Sequence, residues 1–234
     1  MFNALILNQE EKRTLASIEK INQSQLPEGE VLIDVEYSSL NYKDGLAITG
    51  KGKVVQQFPM VPGIDMAGKV AHSDNPNYQQ GDNVILTGWG VGEKHWGGMA
   101  QQARVKGDWL VHQPEGLTSK KAMMIGTAGF TAMLCVQALI EADVTPSKGE
   151  ILVTGASGGV GSVAVTLLSK LGYSVAAVTG RSEQNGPLLE KLGASRIIDR
   201  SEFEQPPRPL EKQCWAGAID DCRLYTNKPA GQQR

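Results

Sequence analysis

Ile151-Leu152-Val153-Thr154-Gly155-Ala156-Ser157-Gly158-Gly159-Val160-Gly161 decides how this chain is read. The apolar, β-branched run at residues 151–154 predicts a strand, and it breaks into a glycine-dense turn. The turn feeds Ser162-Val163-Ala164-Val165-Thr166-Leu167-Leu168, whose spacing predicts a helix over residues 162–171, stopped by Gly172. Glycines at such a turn let the backbone approach a diphosphate, and the free N–H groups of the following helix then hold it. The spacing is Ala156-x-Gly158-x-x-Gly161, with alanine where the usual dinucleotide fingerprint has its first glycine. Ala156, Ser157, Gly158, Gly159, Val160 and Gly161 are therefore candidates for binding a dinucleotide cofactor. The competing reading is a glycine-rich turn that serves only close packing.

Working outward, strands and helices alternate. Strands are predicted at residues 174–179, 196–198 and 215–219, with a helix at 188–192 ended by Gly193. Such alternation implies parallel pairing through right-handed crossovers. The proline-rich stretch at 204–209 reads as a loop. Before residue 118 the pattern differs. Short apolar or alternating runs recur at 4–7, 31–37, 66–70, 84–87, 100–105 and 109–111, separated by turn clusters such as Leu26-Pro27-Glu28-Gly29 and Gln80-Gly81-Asp82-Asn83. This spacing suits a small barrel-like β domain. Helices at 119–125, capped by Thr118 or Ser119, and at 131–140 join the two halves.

Composition narrows the function classes. The chain has 234 residues, enough for one large or two modest domains, and a net charge of −2 from 23 basic and 25 acidic residues. The charges are mixed, so no basic stripe points to nucleic acid as a partner. Cys135, Cys214 and Cys222 are odd in number and far apart, with no C-x-x-C pair, which fits a reducing compartment. The N-terminus lacks the basic region and long apolar run of a signal peptide. No apolar run is expected to reach membrane-spanning length, so the expectation is a soluble, cytoplasmic protein with no membrane partner.

Cofactor preference is legible past the turn. About twenty residues beyond a dinucleotide turn, a carboxylate would bind the ribose 2′-hydroxyl. Here Thr179-Gly180-Arg181-Ser182 occupies that distance, with no carboxylate before Glu183. A guanidinium pairs with a 2′-phosphate, so Thr179, Gly180 and Arg181 favour NADPH. Arg200 either adds a second contact or is a solvated charge.

Several segments together resemble the medium-chain dehydrogenase/reductase superfamily, in its zinc-free quinone-oxidoreductase-like branch and the bacterial acrylyl-CoA reductase group. They are Ser39-Leu40-Asn41-Tyr42-Lys43-Asp44, Val61-Pro62-Gly63-Ile64-Asp65-Met66-Ala67-Gly68, Gly88-Trp89-Gly90-Val91-Gly92-Glu93, His95-Trp96-Gly97-Gly98, Ile125-Gly126-Thr127-Ala128-Gly129-Phe130-Thr131-Ala132 and the glycine turn. The resemblance implies an α/β fold: a GroES-like β-barrel domain over 1–120, then an incomplete Rossmann dinucleotide-binding domain over 121–220. Family members continue beyond that point, so residues 221–234 read as an aberrant tail on a truncated chain. A parallel sheet that stops at its fourth strand would be poorly stable and at best feebly active.

Zinc-bearing relatives carry Gly-His-Glu and an earlier cysteine as ligands. The matching positions are Gly63-Ile64-Asp65 and Asn41, and His72, His95 and His112 lack ligand spacing, so no metal is expected. What remains is hydride transfer by a nicotinamide, with the protein supplying position and electrostatics. For a conjugated thioester, hydride adds to the β-carbon and a hydrogen-bond donor stabilises the enolate. Asn41 and Tyr42 are the candidate catalytic residues, because the family places their loop at its cleft. Thr127 resembles the family residue near the nicotinamide ribose, or it is a helix N-cap; both roles are compatible. Asp44 is a functional carboxylate or a structural cap. Lys43, Lys51 and Lys53 either meet coenzyme A phosphates or are solvated loop charges. The implied activity is NADPH-dependent reduction of an activated C=C bond, best matched by acrylyl-CoA. The alternatives are a quinone reductase and an inactive truncated product. An acyl-CoA or quinone is the expected small-molecule partner, and the intact family implies a homodimer.

Overall fold

Phe2, Ala4 and Ile6 turn inward along β1 (Phe2–Glu10) while Asn3 turns out, the alternation a half-buried strand requires. The computed structural model describes residues 1–203 and 214–220 and divides into two compact units, Met1–Thr127 and the remainder from Ala128. In the first unit β1 pairs antiparallel with β2 (Arg13–Ile21), in register from Phe2↔Ile21 to Glu10↔Arg13. The sequence reading has no strand at β2. Most of its side chains are exposed, so no apolar alternation marks it; backbone pairing with β1 holds it.

Next come β3 (Val31–Tyr37), α1 (Tyr42–Thr49), β4 (Asp65–Ser73), β5 (Asn83–Thr87), β6 (Gln102–Val105) and β7 (Val111–His112). The strands make a five-stranded antiparallel sheet in the order β6-β3-β4-β5-β7. Its inner face is closed by Val31, Ile33, Met66, Val70, Val84, Leu86 and Val105. The strand expected at 109–111 begins only at Val111, as β7, and Trp109 closes a 3-10 turn over Gly107–Trp109.

α2 (Ser119–Glu141) is two helices merged across a break at Gly126, whose φ of 50° and ψ of −163° are non-helical. Two helices were expected, but the second begins directly after the break. The expectation that no apolar run reaches membrane-spanning length is corrected here: α2, 23 residues long, is long and apolar enough to cross a membrane by length and composition. Its buried side chains are committed to folded cores. Ala122 and Met123 pack with Ala67, while Ala132 and Val136 pack with Ile151 and Val153.

The second unit continues with β8 (Ile151–Val153), α3 (Gly159–Lys170), β9 (Val175–Thr179), α4 (Ser182–Lys191), β10 (Arg196–Asp199) and β11 (Gly217–Ile219). These strands form one parallel sheet in the order β10-β9-β8-β11. β8 and β9 are buried throughout, and period-2 alternation shares their side chains between two faces. Ile151, Val153, Val175 and Ala177 pack with Ala164 and Leu168 of α3; Leu152, Ala176 and Val178 pack with Ile198 and, less deeply buried, Phe203 and Trp215.

Two helices start earlier than predicted. α3 begins at Gly159, inside the glycine run, and α4 begins at Ser182, ahead of Asn185-Gly186-Pro187. Breaker residues mislead a reading by propensity. In α4, burial of Gly186 and Leu189 outweighs the penalty of Pro187. The predicted loop at 204–209 and the tail at 221–234 lie outside the described residues.

Candidate functional site

β9 pairs with one side of β8 and β11 with the other, so the connection reverses direction at β8. In open parallel sheets such a switch point, at the carboxyl ends of the strands, is where a crevice for a ligand opens. The glycine turn lies there. Gly155 takes a φ of 57°, the Ala156 N–H donates to the Val178 carbonyl at 3.1 Å, and Gly158 caps α3 in extended conformation. The glycines have separate reasons. A Cβ on Gly161 would stand 2.4 Å from the Gly155 carbonyl oxygen and 2.7 Å from the Ala156 Cα, so only glycine lets α3 press against the turn. The N–H groups of the first turn of α3 (Gly159, Val160, Gly161) have no carbonyl a turn earlier in the helix to reach, and they carry the positive end of its dipole.

A cleft of about 300 Å³ opens beside this turn, lined by Gly155, Ser157, Thr179, Gly180, Arg181 and Arg200, with Val178 at its base. The Thr179 hydroxyl, buried at the end of β9, organises it. It lies 3.2 Å from the Ser157 hydroxyl and accepts hydrogen bonds from the Asn185 side-chain amide at 3.2 Å and the Arg181 N–H at 3.4 Å. Gly180 leaves room for the second arginine, since a Cβ there would stand 3.3 Å from the Arg200 Cζ. The lining holds two guanidinium groups and no carboxylate. Neither guanidinium takes part in an ion pair among the described residues. Asp199, next to Arg200, is engaged elsewhere: it accepts from the Ser182 hydroxyl at 2.7 Å and from the Ser201 N–H and hydroxyl at 3.0 and 2.7 Å. Those bonds, Ser182's first, hold its carboxyl at about 2, against an ordinary value of 3.8. Glu183 faces a neighbouring cleft shared with Asp199.

In the first unit the sequence-predicted residues converge on a group that sequence reasoning passed over. Asp65, fully buried at the start of β4, accepts hydrogen bonds from the Ser39 hydroxyl, the Asn41 Nδ2 at 3.0 Å, the Thr127 N–H at 2.9 Å and the Thr127 hydroxyl at 2.5 Å. The signal was present as an acid inside the apolar run Ile64-Asp65-Met66-Ala67, since a carboxylate is rarely fully buried without partners.

This network orients Asn41. Its Nδ2 also donates to the Ser39 Oγ at 2.9 Å, so both amide hydrogens are taken by the protein. Asn41 further caps α1 in a capping box with Asp44, whose carboxylate accepts the Asn41 N–H at 2.8 Å. Asp44 also accepts the N–H groups of Gly63 and Ile64, both at 3.1 Å, and is the structural tie between these loops. Thr127 sits just after the Gly126 break, with its hydroxyl proton directed to Asp65. Tyr42 stands apart, 84% exposed. Lys43 pairs with Glu93 at 2.9 Å, while Lys51 and Lys53 border a separate cleft with Lys12.

Among the described residues no group of three or more His, Cys, Asp or Glu side chains could hold a metal ion. His95 packs edge-on to Trp109, His112 stacks on Tyr78, and His72 pairs with Asp74 at the surface.

Comparison with known proteins meets this geometry. The alcohol dehydrogenase GroES-like domain matches residues 27–115, the β-sheet unit. Acrylyl-CoA reductase AcuI of Ruegeria pomeroyi is 53% identical over 223 residues, covering 94% of this chain and 67% of the relative. The crystal structure of Escherichia coli K-12 YhdH with bound NADPH superposes with a TM-score of 0.90 at 64% identity, over 93% of this chain and 67% of that one. Bacillus subtilis YhfP with NAD bound superposes with a TM-score of 0.89 at 44% identity, over 93% and 66% of the two chains. The chain thus spans about two thirds of the length of the relatives it matches.

A GroES-like β unit followed by a parallel sheet with a glycine turn at its switch point defines the class: an α/β protein of the dinucleotide-binding oxidoreductase architecture. Within that class the chain belongs to the medium-chain dehydrogenase/reductase family, with AcuI and the putative quinone oxidoreductase YhfP among its relatives.

Proposed function

We propose that this chain belongs to an NADPH-dependent reductase of activated C=C bonds, with acrylyl-CoA as substrate and propionyl-CoA as product. The observation that carries the cofactor reading is the cleft at the end of β9, lined by Arg181 and Arg200 and by no carboxylate. Phosphate next to two guanidiniums gains charge-assisted hydrogen bonds, whereas a bare ribose hydroxyl finds no carboxylate in that lining to pair with. The substrate reading is supported by the likeness to AcuI.

Bound NADPH would supply the hydride. The chain's own groups divide the remaining work. The backbone from Ala156 to Gly161, with Ser157 and the first turn of α3, holds the diphosphate, and Thr179 and Gly180 shape the wall against the ribose. Asp65 acts at one remove by setting Thr127, the candidate for the nicotinamide ribose, and Asn41, whose committed amide hydrogens make it a holder of the loop. The exposed side chain of Tyr42 is then the better-supported of the two loop donors for charge developing on the thioester oxygen. A reaction on a soluble acyl thioester by a reduced nicotinamide suits the cytoplasm.

The test is a titration of the chain with NADPH and NADH, followed by NADPH oxidation with acrylyl-CoA and with a simple quinone. NADPH is expected to bind more tightly, and acrylyl-CoA to be the faster acceptor. Equal affinity for the two nucleotides would remove the cofactor reading, and faster turnover of the quinone would replace the substrate reading.

A further inference from the structure

The β1–β2 hairpin, the C-terminal end of α1 and the loop after it enclose a cleft of about 430 Å³ in the first unit. Lys12 of the hairpin turn and Lys51 and Lys53 of the loop stand on its rim, and Ala47, Val55 and Phe58 lie among its walls. Two segments distant in the chain come close together here. Gly50 ends α1 in the left-handed region, at a φ of 65°, and presses so closely on β2 that a Cβ would stand 2.7 Å from the Thr14 Oγ1. The loop lysines and the hairpin lysine thereby line the same cleft.

Lys43 and Lys148 each find a carboxylate at 2.9 Å, but Lys12, Lys51 and Lys53 take part in no ion pair among the described residues. Glu10 and Glu11 precede Lys12 in the turn and pair with none of the three. Three like charges around one concavity repel one another, and a concave wall focuses their field on whatever anion enters. Ala47 is buried, and Val55 and Phe58 are half-buried, so the interior offers apolar surface as well as charge. A cationic rim around a partly apolar interior, at a volume within the usual range of small-molecule sites, fits an adenine nucleotide bearing several phosphates. Lysines act on such phosphates as point charges, without demanding one fixed geometry.

We propose that this cleft is an anion site for the 3′-phosphoadenosine diphosphate portion of a coenzyme A thioester, with Lys12, Lys51 and Lys53 as the phosphate contacts. The proposal rests on the reading of the substrate as an acyl-CoA. It gives Lys51 and Lys53 a role, adds Lys12, which the sequence alone does not connect to them, and leaves Lys43 to its ion pair with Glu93.

The probe is 3′,5′-ADP, titrated calorimetrically into the unmodified chain, a Lys12→Ala/Lys51→Ala/Lys53→Ala variant and a variant with arginine at the same three positions. The alanine variant is expected to bind 3′,5′-ADP at least about tenfold more weakly, the loss of at least one charge-assisted contact. The arginine variant is expected to keep binding within about twofold, because it keeps the charge. Binding of 2′,5′-ADP, the portion of NADPH assigned to Arg181, is expected to be the same in all three. In turnover, KM for acrylyl-CoA should rise in the alanine variant while kcat and the KM for acrylyl-pantetheine, which lacks the nucleotide, stay put. Unchanged 3′,5′-ADP affinity in the alanine variant, or equal damage with both thioesters, overturns the site. If the unmodified chain reduces neither thioester, the reductase reading fails while the 3′,5′-ADP titration still decides the cleft.

Discussion

Asp65 and the Arg181–Arg200 pair are both charged groups at the centre of a predicted site, and they are treated in opposite ways. Asp65 is fully buried and takes hydrogen bonds from Ser39, Asn41 and Thr127. The two arginines border an open cleft and have no ion pair among the described residues. A carboxylate removed from water must have its partners built in, so its contribution goes to holding loops together. A guanidinium left facing a cleft keeps its donors for whatever enters. Geometry around a charge therefore separates the groups that hold this protein together from those left facing an open cleft, where charge alone does not.

Four experiments would break or sharpen that division. The largest effect is expected from Asp65→Ala, which strips the acceptor from two side-chain hydroxyls, an amide and a backbone N–H at once. A loss of about 3 kcal/mol or more is expected, a large share of a typical net stability of about 5–15 kcal/mol. Asp65→Asn should lose less, because one acceptor oxygen remains. Urea denaturation measures both, and a midpoint unchanged in Asp65→Ala would erase the distinction between the two regions.

Gly161→Ala tests the boundary between holding and binding. Its Cβ would collide with the Gly155 carbonyl oxygen at 2.4 Å, so the turn or α3 must shift. A destabilisation of about 1–3 kcal/mol is expected, accompanied by weaker nucleotide binding, as read by a thermal melt and an NADPH titration on the same sample. Stability without loss of binding, or binding lost without a stability cost, would show that the turn serves one purpose and not both.

Arg181→Ala should touch binding alone. The side chain is exposed, so the melt is expected to stay within about 0.5 kcal/mol of the parent. NADPH affinity should fall by about 1.5–3 kcal/mol, or roughly 10–150-fold, with NADH affinity unchanged. Fluorescence titration of both nucleotides checks it; an equal drop for NADH would mean that Arg181 supports the cleft wall and does not read the 2′-phosphate.

The smallest effect is expected at Asp199. Its folded pKa of about 2 lies below the ordinary 3.8. The stabilisation is therefore complete above roughly pH 4 and is lost as the pH falls toward about 2. Ser182→Ala removes the largest cause of the depression, so its melting temperature should depend less steeply on pH across that window than the parent's. Parallel pH profiles from melts would reverse the assignment of Ser182 as the dominant partner.

The parallel sheet and its glycine turn were legible because they rest on local rules. Ile151-Leu152-Val153, the buried run of β9 and the glycine spacing mark themselves, and cofactor polarity follows from which residue stands after β9. β2 was not legible, because most of its side chains face solvent and only its pairing with β1 makes it a strand. The start of α4 is hidden in the sequence, because Asn185-Gly186-Pro187 look like a stop until burial of Gly186 and Leu189 is known. Asn41 stands out in the sequence only as a candidate, and the commitment of both its amide hydrogens is not legible there. Its partners Ser39 and Asp65 come together through the folding of separate segments.

By itself, then, the sequence determined the βα order, the glycine turn and an arginine, with no carboxylate beside it, just after β9. Each depends on residue type at a short spacing along the chain. Only the tertiary structure decided that Asp65 gathers the Asn41 and Thr127 segments, that Arg200 joins Arg181 in one cleft, and that Lys12 meets Lys51 and Lys53. Those contacts join residues far apart along the chain, and what brings them together is burial and close backbone approach, as at Gly50 and Gly161, which no local pattern records.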